Sequence, residues 1–389
     1  MSNSIEIRTT FKYRLYPTPA QEKWMFNTLA VCRHFYNMCL EDRKLAYELE
    51  GRSVSQYDQV KQSRLYRQTF PQAKAVFSQT LQSVAVDLSK AFDAFFRRVN
   101  NGETPGYPRF KNRMSFHSFN FPQFGVGAKL DGRRLKLFGI GRVRVRWHRP
   151  IEGDIKTVRI VYQAGQWDAC FICEVADKPE LPKTGRCIGI DVGITALLTT
   201  SEGAKVENPK HYRAAQKKLR VVQRALSRKK KGSKNRRKAL RTVQRQQMHT
   251  ANQRRDMLHK LSTTLILTCD GVALEDLAIR NMVRNHHLSK SILDSGWGMF
   301  KHYLTYKAAS AGREIGLVNP AYTSQCCSNC GTGFQDFDLS TRWVECACGL
   351  SLDRDHNAAM NILKRAGWDA PAVANVDHQV MRRIGSPRL

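Results

Sequence analysis

The sequence predicts a multidomain α/β protein, and three observations carry that reading. The apolar period changes along the chain, from two to helical spacing and back to two. A second block of strands and helices opens after residue 183 with the apolar run Ile188-Gly189-Ile190-Asp191-Val192-Gly193-Ile194. Four cysteines then stand in two close pairs, Cys327 with Cys330 and Cys346 with Cys348. At 389 residues the chain has room for two to three domains, and 42% hydrophobic content is enough for real cores.

Residues 5–15 alternate apolar and polar, as a strand does. A helix is predicted to open at Thr18-Pro19-Ala20-Gln21: Thr18 suits the N-cap, Pro19 the first turn, and Gln21 completes a capping box. Trp24, Met25, Leu29, Cys32, Phe35, Tyr36 and Cys39 follow at helical spacing and read as core. Residues 55–100 also read as helical, with Val84, Leu88, Phe92 and Phe95 on one face, until Gly102 to Pro108 breaks the pattern. From 115 to 180 the period is two. Strands are expected at Leu135-Lys136-Leu137, 143–147, 158–162 and 169–175, joined by the opening strand, with the helices inserted between. Cys170 and Cys173 form a CxxC inside a strand pattern with no second pair beside it, so they read as buried cysteines.

Lys183-Thr184-Gly185 marks the boundary to the second block. A strand over 187–192 continues as a meander to 206, and 211–263 reads as a long helical hairpin broken near Gly232-Ser233. Its turn is intensely basic, with Arg228, Lys229, Lys230, Lys231, Arg236 and Arg237 close together. Leu219, Val222, Leu226, Leu240 and Val243 keep an apolar stripe, which favours a docked hairpin with a basic outer face over a disordered charge run. The tail 369–389 has little pattern.

Lys and Arg total 64 against 33 Asp and Glu, a net charge of +31. Such an excess implies a polyanionic partner, because each neutralised phosphate releases counterions. No apolar run reaches transmembrane length and none follows a basic N-terminus, so neither a membrane partner nor secretion is expected. Five of the eleven cysteines crowd into 326–348, which suggests a metal site in a reducing cytoplasm rather than disulfides.

Four thiolates in a CxxCG and a CxCG can hold one Zn²⁺ tetrahedrally, as in a zinc ribbon, with Gly331 and Gly349 easing the turns. The expected ligands are Cys327, Cys330, Cys346 and Cys348, with Cys326 an alternative to Cys327. Four thiolates leave no open position, so this zinc would be structural. Three acids suggest a second, harder metal site. Asp191 stands in an apolar strand, where a charge is costly unless it faces a site. Glu275 ends the strand-like Asp270-Gly271-Val272-Ala273-Leu274. Asp355 opens a helix beginning Asn357-Ala358-Ala359. Each alone could be a turn residue, a surface charge or a helix cap. Their order matches an RNase H-like sheet, in which two carboxylate strands and a C-terminal helix converge on two divalent ions.

Segments along nearly the whole length carry a family resemblance. They include Phe11-Lys12-Tyr13-Arg14-Leu15-Tyr16-Pro17, Gly106-Tyr107-Pro108-Arg109-Phe110-Lys111, Gly189-Ile190-Asp191-Val192-Gly193, Asp294-Ser295-Gly296-Trp297-Gly298, Tyr306-Lys307-Ala308, Thr323-Ser324-Gln325-Cys326-Cys327 and Asp353-Arg354-Asp355-His356-Asn357-Ala358-Ala359. The chain resembles the TnpB family of insertion-sequence-encoded, RNA-guided nucleases related to type V CRISPR effectors. The resemblance implies a RuvC-like RNase H fold with an inserted zinc ribbon, and an N-terminal wedge β-domain carrying a helical recognition lobe. The implied boundaries are 1–15 and 115–182 for the wedge, 16–114 for the lobe, 183–315 and 351–368 for the nuclease domain, 316–350 for the ribbon and 369–389 for the tail. It implies Mg²⁺-dependent cleavage of target DNA beside a short flanking motif, with Asp191, Glu275 and Asp355 as catalytic ligands and Asp353 the less fitting alternative. It also implies a guide RNA, double- and single-stranded DNA as partners, a protein monomer in the complex, and a prokaryotic cytoplasm with nucleoid association on DNA. The basic hairpin would contact nucleic-acid backbone. Tyr57, Tyr66, Phe70, Phe77 and Phe110 could stack on bases, although core packing suits most of them better. Two rival readings are an RNA-guided DNA-binding repressor that does not cut, and a transposase.

Overall fold

The computed structural model describes residues 7–176, 180–335, 337, 338 and 340–368; the expected tail 369–389 lies outside them. The chain forms two compact units that meet in sequence at 177/178.

The first unit runs β1 (Ile7–Tyr16), α1 (Pro19–Glu50), α2 (Gln56–Thr69), α3 (Ser78–Asn100), β2 (Ser118–Phe121), β3 (Ala128–Asp131), β4 (Arg134–Leu137), β5 (Gly141–Arg146), β6 (Asp154–Gln163) and β7 (Gln166–Val175). Its strands make an antiparallel sheet in the order β2-β6-β7-β1-β5-β4-β3. The opening strand therefore sits mid-sheet, closed on one side by β7 and on the other by β5. Phe11, Tyr13 and Leu15 point inward and share one core with Met25, Phe35 and Leu88 of the inserted helices. Thr18 caps α1 through the full capping box, with Pro19 in the first turn. The helical stretch predicted over 55–100 is interrupted, and the reason is local. Phe70 precedes Pro71, whose ring crowds the α conformation of its neighbour, and Phe70 turns extended at φ −109°. Cys173 is buried and Cys170 half-buried in β7, both as free thiols.

The second unit runs β8 (Cys187–Val192), β9 (Ala196–Thr200), β10 (Lys205–Glu207), α4 (His211–Ser227), α5 (Lys234–Thr268), β11 (Gly271–Glu275), α6 (Ile279–Met282), α7 (Ser289–Ser295), α8 (Trp297–Ala311), β12 (Glu314–Val318), β13 (Trp343–Glu345), β14 (Ser351–Asp353) and α9 (Arg354–Arg365). A mixed sheet has the order β10-β9-β8-β11-β12; β8, β11 and β12 are parallel, and β9 and β10 antiparallel. Strand alternation divides its two faces. Ile188, Ile190, Val272 and Leu274 pack on Leu258, Leu261 and Leu265 of α5 and on Phe300 and Leu304 of α8. The intervening Ala273 packs with Val318 on Ile362 of α9. Gly189 lies on this second face, and a Cβ there would stand 2.1 Å from the carbonyl oxygen of Ala359. Only glycine lets the backbone of α9 approach β8 this closely.

The long hairpin α4–α5 is held at its root by Asp294. Its buried carboxylate accepts the backbone N–H groups of Tyr212 and Arg213 in the first turn of α4 and pairs with Arg254 of α5 at 2.7 Å. An acid supplied from α7 thus caps a helix that carries none of its own in the first turn.

Candidate functional site

The same alternation that sends Ala273 and Gly189 toward α9 sends Glu275 and Asp191 there too. Asp191 lies one residue past the last β8–β11 pair, Ile190 with Leu274, so Glu275 stands beside it on the neighbouring parallel strand. The first turn of α9 supplies Asp355. Adjacent Asp353 has a different task. Its carboxylate accepts the N–H groups of Asp355 and His356 as the N-cap and pairs with Lys205 at 2.7 Å.

Glu275 and Asp355 both act on Asp191. Burial, then the charges of Glu275 and Asp355, push Asp191 up to about 7. Burial also raises Glu275, opposed by the Thr323 hydroxyl, which donates to Oε1, and by the charge of Arg365. Asp355 has the Nε of Arg354 at 3.5 Å. The carboxylates do not form a tight single-ion cage; among the described residues that arrangement belongs to the cysteines. Hard oxygen donors around a pair of ions need to be spread, since two such ions sit roughly 3.5–4 Å apart. Half-buried carboxylates that crowd Asp191 are suited to divalent cations.

The cysteine cluster is built from two knuckles. Gly331 donates its N–H to the Cys327 carbonyl and Gly349 to that of Cys346, each glycine at positive φ, 80° and 88°. The Sγ atoms of Cys327, Cys330, Cys346 and Cys348 all lie within 4.8 Å of one another. Cys327 and Cys348 are 3.6 Å apart, and Cys330 and Cys346 3.5 Å. A tetrahedron with 2.3 Å metal–sulfur bonds has edges of about 3.8 Å, so the set fits zinc. Cys326 stands outside the cluster, its carbonyl accepting from Asn357 and Asn361.

A polar stripe on α9 joins this cluster to the acids. Fully buried Asn357 accepts the N–H of Ser328 and donates to the Cys326 carbonyl, both at 2.8 Å. Asn361 donates to the carbonyls of Thr323 and Cys326, and Lys364 to that of Ser328. Thr323 in turn holds Glu275. Position and polarity at 357, 361 and 364 follow helical spacing, a stripe visible in the sequence; the Thr323 contact has no local signal.

In the basic turn, Arg228, Lys229, Lys230, Lys231 and Arg237 are exposed. Arg236 is half-buried, and its guanidinium donates to the carbonyls of Leu226 and Lys229, closing the end of α4. Of the aromatics, Tyr66 is buried in the core, Phe70 and Phe77 pack against it, and Tyr57 and Phe110 are exposed.

Family models match three stretches: one described as "Probable transposase" over 170–286, a "Cas12f1-like, TNB domain" over 297–362 and a "Helix-turn-helix domain" over 3–52. In this chain 7–50 is a strand followed by one long helix. Two curated relatives align almost end to end. One is a Streptomyces pristinaespiralis protein named "Putative RNA-guided DNA endonuclease", 36% identical over 94% of this chain and 91% of its own length. The other is "Putative RNA-guided DNA endonuclease InsQ" of Escherichia coli (strain K12), 32% identical over 91% of each. Among solved structures, the "mini-RNA-guided endonuclease CRISPR-Cas_phi3" is 10% identical with a TM-score of 0.49, covering 93% of this chain and 92% of that one. Identity at this level over nearly the full length means that the chain belongs to the TnpB family of insertion-sequence proteins.

Proposed function

We propose that the protein is an RNA-guided DNA endonuclease that cuts target DNA beside a short flanking motif by two-metal hydrolysis. The observation that carries this is the arrival of Asp191, Glu275 and Asp355 on one face of the β8–β11 sheet, from three separate elements and within reach of one another's charge. Mg²⁺ suits these hard donors, and a bound pair would activate water and steady the departing 3′ oxygen. The protein's own residues do the rest. Apolar strand neighbours keep Asp191 out of bulk water, so its charge develops fully only against a cation. Thr323 fixes the rotamer of Glu275, and Asp353 takes over the capping role, so that Asp355 is not needed as the cap.

In this reading the second unit is a RuvC-like RNase H domain over 183–315 and 351–368, interrupted by a zinc ribbon at 316–350. The ribbon's Zn²⁺ is held by Cys327, Cys330, Cys346 and Cys348 and is structural. The first unit comprises a wedge β-domain, 1–15 and 115–182, with a recognition lobe at 16–114. Guide RNA pairs with the target strand, and Arg228, Lys229, Lys230, Lys231 and Arg237 hold backbone phosphates.

The test is cleavage of labelled duplex DNA with guide RNA supplied. Asp191→Ala should lose about 10³-fold or more in rate, since several kcal/mol of charge stabilisation goes with the ion, while target binding persists. Full cleavage by that variant would defeat the assignment. Metal-independent occupancy without nicking would favour a repressor, and joining of labelled transposon ends to target a transposase.

A further inference from the structure

The outer face of the first unit's sheet carries cations where strand pairing should avoid them. Arg134 of β4 lies directly opposite Arg144 of β5, and Arg144 lies opposite Tyr16 of β1. One row along, Lys129 faces Lys136 and Lys136 faces Arg142. Like charges directly opposed across strands destabilise a sheet. Among the described residues a single acid enters these rows, Asp131, which lies opposite Arg134 but pairs with Arg142 at 2.5 Å. Among the described residues, no carboxylate lies within ion-pair distance of Arg133, Arg134, Arg144 or Arg146. These four arginines line a groove of about 520 Å³ together with Tyr16 and Trp147. Tyr16 is 46% exposed, and the guanidinium of Arg144 lies 5.4 Å from its ring centre. Trp147 stiffens the wall: its indole N–H donates to the Arg133 carbonyl at 2.9 Å and its ring packs on Tyr13.

We propose that this groove binds an unpaired stretch of nucleic acid, with phosphates on Arg134, Arg144 and Arg146 and one base stacked on Tyr16. Phosphates remove the repulsion between opposed arginines, and an aromatic shelf beside them takes a base face without demanding its identity. The two aligned rows of cations alone would suit any polyanion; the exposed ring among them selects a ligand with an unstacked base. The guide RNA or an unwound DNA strand could supply that chemistry. The site lies wholly in the first unit and rests on the nucleic-acid reading, not on the catalytic acids.

The experiment measures binding of fluorescein-labelled 15-mers of uridine and of thymidine, and of a DNA duplex, to the full chain in EDTA, so that cleavage plays no part. Arg134→Gln with Arg144→Gln should weaken single-strand binding at least tenfold and flatten the logarithmic salt slope by about 1.4, two charges at about 0.7 each. Tyr16→Ala should weaken it at least about fivefold, and Tyr16→Phe should restore it. The arginine pair variant should also melt at a higher temperature than the parent, because the opposed charges are gone. Photocrosslinks from a 4-thiouridine 15-mer should map to 16 and 133–147. A preference for the uridine probe assigns the site to RNA, equal or stronger binding of thymidine to a DNA strand. Unchanged affinity and slope, crosslinks confined to 211–268, or tighter binding of duplex than of both single strands would overturn the proposal.

Discussion

Thr323 shows how one side chain governs an acid beside it. Its hydroxyl donates to the Glu275 carboxylate and acts against the burial that raises that acid. Thr323→Val should leave the fold intact and reduce cleavage about tenfold, the effect of losing one hydrogen bond to a charged group; Thr323→Ser should restore the rate. Asp191 offers a second reading at this scale. Its pKa in the folded chain is pushed up to about 7, well above that of an unfolded carboxylate. The protonated form is therefore favoured by folding, and that contribution is complete below about pH 4 and disappears as pH rises toward 7. In EDTA the thermal midpoint of the parent should fall through this window, and Asp191→Asn should flatten the fall. An identical fall in both proteins would remove Asp191 as its source.

Among the elements, α9 binds the most together, touching β8 through Gly189, the first knuckle through Asn357, Asn361 and Lys364, and the acids through Asp355. Replacing Cys330 and Cys348 with serine should remove one zinc in native mass spectrometry. It should also increase amide exchange at 323–330 and 351–365 and lower cleavage, because the knuckle that Asn357 grips would lose its shape. Asp294 has a comparable place at the hairpin root. Asp294→Ala should destabilise the chain by about 3 kcal/mol in urea unfolding, since it strands Arg254 and uncaps α4. Much of this was legible from sequence. Period two located strands of the first unit, the order of Asp191, Glu275 and Asp355 along the chain matched an RNase H-like sheet, and the Thr18 box located α1. The short strands β2 and β3, the edge strand β12 and the helices over 279–311 were not, because their signals are too short or depend on tertiary partners. Asp294 reads locally as a turn acid; its use emerges only when Tyr212 and Arg254 are folded against it.

At the scale of the molecule, the net charge of +31 includes two clusters, the hairpin turn and the sheet face, which should work differently. The turn cations are exposed and hold no fixed shape for a base, so they should act as sequence-blind charge. Lys229→Gln, Lys230→Gln and Lys231→Gln together should reduce the salt slope of duplex DNA binding by about 2.7, three charges at about 0.9 each, without altering which target is chosen. A change in target preference with the slope unchanged would contradict that division. Among the described residues no helix is long and apolar enough to cross a membrane. The order of the acids has one more consequence. β8 and β11 leave the ribosome early, but α9 must wait until both cysteine knuckles have been made. On the proposed assignment, a gene copy that decays by losing its 3′ end before codon 355 would lack both the third acid and the helix packed on Gly189 of β8, and its product should not sever DNA.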